Sequence, residues 1–229
     1  MDNIYLITLI GIFLSMGLGK VIIPILKRKK IGQNIRTVGP QSHMAKEGTP
    51  TMGGIIFILV ALVMSIIFLP KNLETFILII AMLGFGAIGF IDDFRKLILH
   101  QSEGLNPKQK LVLQFILAGL ITILAFINDK ESITKLLIPF TNYYLPVSVI
   151  GIPLMVFIIV GTTNATNLTD GLDGLLVSVS IPVFITLAII AKTGTNKIFS
   201  IIMLGSILGF LIYNSNPASV FMGDTGSMA

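Results

Sequence analysis

Long apolar runs constrain this chain more than any other feature of its sequence. A membrane-spanning helix needs about 20 mainly apolar residues, and seven segments approach that length: 4–26, 53–69, 76–91, 111–127, 147–162, 175–191 and 198–213. Charged residues make up only 12% of the chain and the mean hydropathy is +0.93, whereas a soluble domain carries roughly 25% charged residues. The sequence therefore predicts an all-α, polytopic transmembrane helical bundle of about seven spanning helices, with residues 1–229 as a single integral membrane domain.

The distribution of the positive charges predicts the orientation of this bundle. The net charge of +5 could suggest a nucleic-acid partner, but the charges fall in short clusters between the apolar runs, as is typical of the cytoplasmic ends of membrane helices. Loops 27–52, 92–110, 163–174 and 214–226 hold ten Lys and Arg residues, against five in the other loops. We therefore expect an N-terminus outside the cell and no nucleic acid. Residues 128–144, in an outer loop, are expected to be irregular or hairpin-like.

Acidic residues collect beside the predicted membrane boundaries on the inner face. Asp92 and Asp93 directly follow an apolar segment and precede Lys96. Adjacent helical residues point about 100° apart, so one carboxylate can act while the other accepts a hydrogen bond or pairs with Lys96. A solvated helix end is the alternative, but a helix C-terminus disfavours negative charge. That cost favours a functional interpretation of the pair.

Two further motifs place oxygen-bearing side chains at the same face. Asn164, Asn167, Asp170 and Asp173 recur at steps of three, which on a helix would form a stripe whose neighbours share a ligand. Polar groups near a bilayer are costly and tend to mark sites. Asp224 stands among glycines, and Mg²⁺ needs only one or two protein carboxylates beside a substrate phosphate. Taken alone, this last motif favours a simple Asp-containing turn.

The first inner loop, residues 39–54, offers backbone N–H groups, hydroxyls and the cation Lys46, all suited to phosphate. A flexible connector rich in turn residues is an equally good interpretation. Taken together, the four loops indicate Mg²⁺-assisted phosphoryl chemistry between one lipidic and one soluble partner. The chain has no cysteine, so thiolate chemistry is excluded.

Four stretches carry a resemblance to a known family: GPQSHMAKEGTPTMGG, FIDDFRK, NATNLTDGLDGL and NSNPASVFMGDTGSMA. The chain resembles the phospho-N-acetylmuramoyl-pentapeptide transferases, the bacterial lipid I synthases of the polyprenyl-phosphate sugar-1-phosphate transferase superfamily. The resemblance implies Mg²⁺-dependent transfer of phospho-N-acetylmuramoyl-pentapeptide from UDP-N-acetylmuramoyl-pentapeptide to undecaprenyl phosphate. The products would be lipid I and UMP. It also implies a multi-pass protein of the bacterial plasma membrane with a cytoplasmic active site, surrounding membrane lipid, and a homodimer as one assembly state.

The resemblance also implies a role for individual residues. Asp92 and Asp93 match a catalytic pair near the lipid phosphate, and Asp224 matches a Mg²⁺ ligand with Asn167 as the second residue on the metal side. The remaining matches are substrate-binding: a uridine-binding acid and ring (Asp170 and Phe221), residues that line the same pocket (Lys46, Thr51, Asn164, Asp173 and Asn214), and phosphate partners (Lys96 and Lys110).

One feature departs from the family pattern. Family members continue beyond the Gly-Asp motif through further helices and a loop with clustered histidines, which neither His43 nor His100 matches, so the chain is expected to be C-terminally incomplete. Three alternatives remain: a UDP-N-acetylhexosamine:polyprenyl-phosphate transferase, which would lack the first-loop pattern; a cation-coupled transporter, which would carry acids in mid-helix; and an inactive structural subunit.

The orientation can be tested with single cysteines. Cysteines at Gln41, Ser102 and Ser219 should react with an impermeant thiol reagent only after the cytoplasmic side is opened. Cysteines at Asn72, Asn142 and Thr195 should react from outside. The native chain contains no cysteine, so the background is clean. The reverse pattern would put the acidic loops on the side that UDP-linked substrates do not reach.

Overall fold

The protein is a bundle of long apolar helices. A computed structural model describes residues 4–28, 48–97, 104–138 and 140–229. Within these ranges the elements, in chain order, are α1 (Ile4–Arg28), α2 (Gly54–Phe68), α3 (Leu73–Leu97), α4 (Pro107–Asn128), α5 (Lys130–Thr134), β1 (Lys135–Leu137), β2 (Tyr144–Pro146), α6 (Gly151–Thr169), α7 (Leu175–Ile190), α8 (Gly194–Asn214) and α9 (Gly223–Ser227).

Five of the described helices are long and apolar enough to cross a membrane: α1, α3, α4, α8, and α6 with the turn before it. Helices α2 and α7 are apolar but shorter. The predicted all-α, multi-pass membrane bundle is confirmed. The hairpin-like connection is confirmed as well, since β1 and β2 pair antiparallel with Leu136 opposite Leu145.

Helices α3 and α6 both continue beyond the predicted apolar segments, and both continuations carry predicted site residues. The segment predicted to end at residue 91 continues as α3 to Leu97, so Asp92 and Asp93 lie inside its last turns. Hydropathy falls at these acids, but the helix continues because both carboxylates find hydrogen-bond partners there. Helix α6 likewise continues past residue 162 to Thr169, so it carries Asn164 and Asn167, but Asp170 and Asp173 follow its end.

Helices α1 and α8 pack closely through small residues. A Cβ on Gly209 would lie 2.4 Å from the carbonyl oxygen of Ile12, and Gly205 makes a similarly close approach to α1. The Tyr213 hydroxyl donates to the carbonyl of Met16 at 2.6 Å. Small residues let membrane helices approach at backbone distance, where van der Waals packing is strongest.

Backbone contacts also seat α9 between α2 and α3. The amide of Gly53 donates to the carbonyl of Phe221, and that of Gly54 donates to Met222, both at 2.9 Å. On the other side, a Cβ on Gly89 of α3 would lie only 2.0 Å from the carbonyl oxygen of Asp224. The close packing of α9 therefore requires glycine at these positions, because a Cβ atom would collide with the neighbouring backbone.

A methyl group at Gly89 tests this dependence. Gly89→Ala should displace α9 and lower stability by about 1–3 kcal/mol, the usual cost of overpacking. Gly161→Ala on α6 is the matched control, because a Cβ there meets nothing within 4 Å. Thermal unfolding in lipid nanodiscs should show a lower midpoint for the Gly89 variant only. Equal midpoints would contradict the close packing of α3 on α9.

Candidate active site at one end of the bundle

A cavity of about 300 Å³ lies where the C-terminal ends of α3, α6 and α8 approach α9. Each of these ends belongs to a motif that the sequence analysis singled out. The cavity walls contain nine of the predicted site residues, namely Thr51, Asp93, Lys96, Asn167, Asp170, Asp173, Asn214, Phe221 and Asp224. Four separate motifs therefore converge on one space.

Asp224 is the point where three helices meet. Lys110 of α4 donates to its Oδ2 at 2.8 Å, and Lys96 of α3 lies 3.6 Å from the same oxygen. Asn167 of α6 donates from Nδ2 to its Oδ1 at 3.0 Å. Burial would raise the pKa of Asp224, but hydrogen bonds with Asp92, Lys110 and Asn167 and the Lys110 charge outweigh it and hold the pKa well below its usual range. Asp224 is therefore a stable anion beside the cavity.

Asp93 holds α9 in place. Its Oδ2 accepts from the amide and the hydroxyl of Thr225 at 2.9 and 2.7 Å, and its Oδ1 accepts from the amide of Asp224 at 3.3 Å. The first amides of a helix have no partner within the helix, and a carboxylate suits this positive end. The side chain is buried. Asp93 thus fixes the segment that carries Asp224.

Asp92 lies behind the cavity wall. It forms the i,i+4 ion pair with Lys96 that the sequence indicated, and it accepts from the amide of Leu105 at 2.7 Å. Its Oδ2 lies 4.0 Å from Lys110. The two adjacent acids therefore point to different partners. Asp93 borders the cavity, while Asp92 positions the cations around it.

Asp170 and Asp173 lie in the turn after α6 rather than on a helical face. Burial, followed by repulsion from Asp224 and Asp93, raises the pKa of Asp170 to about 7, although the amide of Gly223 opposes the shift. Asp170 can therefore exchange a proton near neutral pH. Asp173 accepts from the amide of Ala218 at 3.2 Å, which ties this turn to the last motif.

Polar and aromatic groups form the other wall. Thr51 and Asn214 are both buried, and among the described residues the Thr51 hydroxyl and the Asn214 amide oxygen have no hydrogen-bond partner. The Asn214 amide nitrogen donates to Val220 at 3.0 Å. Phe221 adds an aromatic ring. Unpaired buried polar atoms beside a cavity suit a ligand that would satisfy them.

Among the described residues, three predicted site residues do not line the cavity, namely Asp92, Lys110 and Asn164. Asn164 bonds to Gln114 of α4 and is not part of the cavity lining. Lys46 lies outside the described residues, as do His43 and His100.

Three further residues at or near the site were not predicted from the sequence, namely Gln114, Thr225 and Ser227. Gln114 could have been found as a lone amide inside an apolar segment, where polar groups are costly. Thr225 and Ser227, which bond to Asp93 and Asn167, stand inside a quoted motif, but no spacing distinguishes them.

The donor set suits Mg²⁺. Among the described residues, no group of three or more His, Cys, Asp or Glu side chains could form a metal cage. Mg²⁺ does not need one, because it keeps several waters and takes one or two carboxylates beside substrate phosphates. Asp224 supplies a partly exposed carboxylate. The described contacts of Asn167 use only its Nδ2. Its amide oxygen is therefore available as a second oxygen ligand for the metal.

Comparison with known proteins agrees with the sequence motifs. Residues 75–229 match the family model described as Glycosyl transferase family 4. Residues 46–58 match the Phospho-N-acetylmuramoyl-pentapeptide-transferase signature 1. The signature overlaps the stretch 39–54, and the longer match contains the other three motifs.

Similar curated proteins come from several bacteria. The chain is 45% identical over 231 residues to the phospho-N-acetylmuramoyl-pentapeptide-transferase of Caldanaerobacter subterraneus subsp. tengcongensis, with 100% of this chain and 72% of the relative covered. It is 46% identical over 233 residues to that of Staphylococcus carnosus (99% and 73% covered). For Desulfitobacterium hafniense the values are 46% over 245 residues, with 100% and 72% covered. The chain belongs to the phospho-N-acetylmuramoyl-pentapeptide-transferase family.

Proposed function

We propose that the chain transfers phospho-N-acetylmuramoyl-pentapeptide from UDP-N-acetylmuramoyl-pentapeptide to undecaprenyl phosphate, giving lipid I and UMP with Mg²⁺ as cofactor. The observation that carries this proposal is the Asp224 carboxylate, held between two lysines and an amide beside a cavity at the end of a membrane bundle. Such a site offers opposite charges for a metal and for phosphates. Its place at the bundle end lets a lipid and a soluble nucleotide meet.

The lysines would neutralise the phosphates of both substrates. Lys110 is mostly buried and Lys96 is partly exposed, and a cation close to a phosphate forms a strong charge-assisted hydrogen bond. Phosphoryl transfer depends mainly on positioning and on stabilising charge. Phosphate oxygens would replace the contacts that Asp224 makes with these lysines. The two ammonium groups are then the main fixed positive charges that the described residues offer the reaction.

Asp224 and Asn167 would hold Mg²⁺. When bound, the ion supplies charge neutralisation for the diphosphate that is cleaved. Asp93 is the member of the proposed catalytic pair that borders the cavity, and Asp92 keeps Lys96 in position. A phosphate monoester is mostly ionised at neutral pH, since its second pKa is about 6. The lipid phosphate therefore needs alignment and shielding of its charge more than a strong base.

The opposite wall would bind the nucleotide. The ring of Phe221 offers a stacking surface, and the unpaired Thr51 and Asn214 atoms offer hydrogen bonds. Asp170, which lines the same cavity, can accept a hydrogen bond from a uracil N–H. Because a UDP-linked substrate is water-soluble and made inside the cell, we place this site on the cytoplasmic face of the bacterial plasma membrane. A homodimer stays a prediction.

A UDP-N-acetylhexosamine transferase is the second candidate, because it would use the same three later motifs. The match of residues 46–58 to the muramoyl-pentapeptide signature favours the first proposal. Transport is less consistent with the structure, since the described acids at the site lie in the last turns of α3, after α6 and in α9.

Direct assay of the chain distinguishes these functions. The purified protein is incubated with Mg²⁺, undecaprenyl phosphate and either UDP-N-acetylmuramoyl-pentapeptide or UDP-N-acetylglucosamine. We expect UMP and a lipid-linked product from the muramoyl substrate alone. Product from the glucosamine substrate alone would favour the second candidate, and no product from either would contradict both.

The metal role of Asp224 can be tested by Asp224→Asn, which keeps the shape and removes the charge. We expect turnover to fall by at least about 100-fold, the scale of removing one preorganised electrostatic contact. Asp129→Asn, at the opposite end of the bundle, is the matched control. Near-normal turnover of the Asp224 variant across a Mg²⁺ titration would contradict the assignment.

The stacking role of Phe221 predicts a different pattern. Phe221→Ala should weaken binding of the UDP substrate by about 1–3 kcal/mol, the usual value for stacking of a base on an aromatic ring. Binding of undecaprenyl phosphate should not change. Phe115→Ala, which removes an exposed ring from α4, is the control. Equal losses for both substrates would show general damage to the cavity instead.

A further inference from the structure

A fully buried amide lies inside α4, one turn away from the site. Gln114 has no exposed surface and stands in an otherwise apolar stretch of the helix. Burying an amide without a hydrogen-bond partner is unfavourable, and a leucine at the same position would avoid this cost. The side chain does not line the cavity. Its presence therefore needs an explanation other than substrate contact.

The partner of Gln114 is Asn164 of α6. The Asn164 amide nitrogen donates to Gln114 Oε1 at 2.8 Å, and the Gln114 amide nitrogen donates to Asn164 Oδ1 at 3.4 Å. The same Asn164 nitrogen also donates to the carbonyl of Val160 at 2.8 Å, which fixes its rotamer. Among the described residues, this pair makes the side-chain hydrogen bonds between α4 and α6. The nearby residues Ala118 and Val160 belong to an apolar cluster, whose contacts are less directional than hydrogen bonds.

The amide pair lies next to the residues that hold Asp224. Lys110 precedes Gln114 by one helical turn on α4, and Asn167 follows Asn164 by three residues on α6. Residues three or four apart share a helix face. Both neighbours bond to Asp224, Lys110 through Oδ2 at 2.8 Å and Asn167 through Oδ1 at 3.0 Å. Sliding α4 along α6 would pull one of these two groups off the carboxylate.

We propose that Gln114 is a positioning residue, whose reciprocal amide bridge to Asn164 sets the register of α4 against α6. The bridge thereby keeps Lys110 and Asn167 on opposite oxygens of Asp224. This inference rests on the proposed function for its catalytic consequence. Apolar packing holds the helices together, and the bridge selects one axial position among those that packing would allow.

The test compares three variants of the full chain in lipid nanodiscs. Gln114→Leu removes the bridge at similar volume. The double variant Gln114→Asn with Asn164→Gln exchanges the two amides and keeps their combined length. Thr122→Val is the matched control, because Thr122 is also buried in α4 and its hydroxyl has no partner among the described residues.

Steady-state kinetics provide the first measurement. Gln114→Leu should lower kcat by about 10- to 100-fold, since small misplacements of catalytic groups cost this much. KM for the UDP substrate should stay nearly constant, because the bridge does not contact the cavity wall. The exchanged double variant should recover most of kcat, and Thr122→Val should match the native chain. Loss of kcat in both Gln114→Leu and the exchanged variant would overturn the proposal.

A distance measurement tests the same register without any turnover. Spin labels at Ile116→Cys on α4 and Phe157→Cys on α6 occupy exposed positions, and the chain has no other cysteine. We expect one narrow distance distribution in the native background, a shifted or broader one with Gln114→Leu, and recovery in the exchanged variant. An unchanged distribution with Gln114→Leu would overturn the proposal. If the native chain makes no lipid product, the proposed function fails while the distances still decide the bridge.

Discussion

The site depends on the electrostatic balance around the Asp224 carboxylate. A buried anion is costly unless cations and hydrogen-bond donors surround it, and here α3, α4 and α6 each supply one such group. The mostly buried Lys110 ammonium likewise needs an anion close to it, which Asp224 supplies. The ends of α3, α4 and α6 thus share a defined meeting point at Asp224. The cavity forms beside that point.

The seat of α9 is the second condition for this balance. Asp224 belongs to a five-residue helix, which is too short to be stable by itself. Asp93 binds its first amides, and the paired segment around Gly53 fixes the chain that leads into it. The short helix α9 is therefore held in place because neighbouring segments form hydrogen bonds with its backbone and with the residues that precede it. The acid of the site is held by the core of the bundle.

Most of the architecture could be predicted because lipid imposes a simple rule on helix length and composition. The grouping of the acids at one end also followed, since alternate loops of a membrane bundle share a face. The register of the helices could not be predicted. Asp92 and Asp93 were predicted at a helix C-terminus, but their separate roles depend on partners at Leu105 and Thr225 that are remote in sequence. The pairing of Asn164 with Gln114 depends on contacts between distant segments in the same way.

The backbone contact between Gly89 and Asp224 has a consequence for how such a protein can change over time. Exposed side chains of α4, such as Ile116, would face lipid, so many apolar residues would serve there. At Gly89 the available space excludes every side chain. Substitutions should therefore accumulate quickly on the outer faces and very slowly where α3 contacts α9. The residue type at such a position is determined by the available space and not by the chemistry of its side chain.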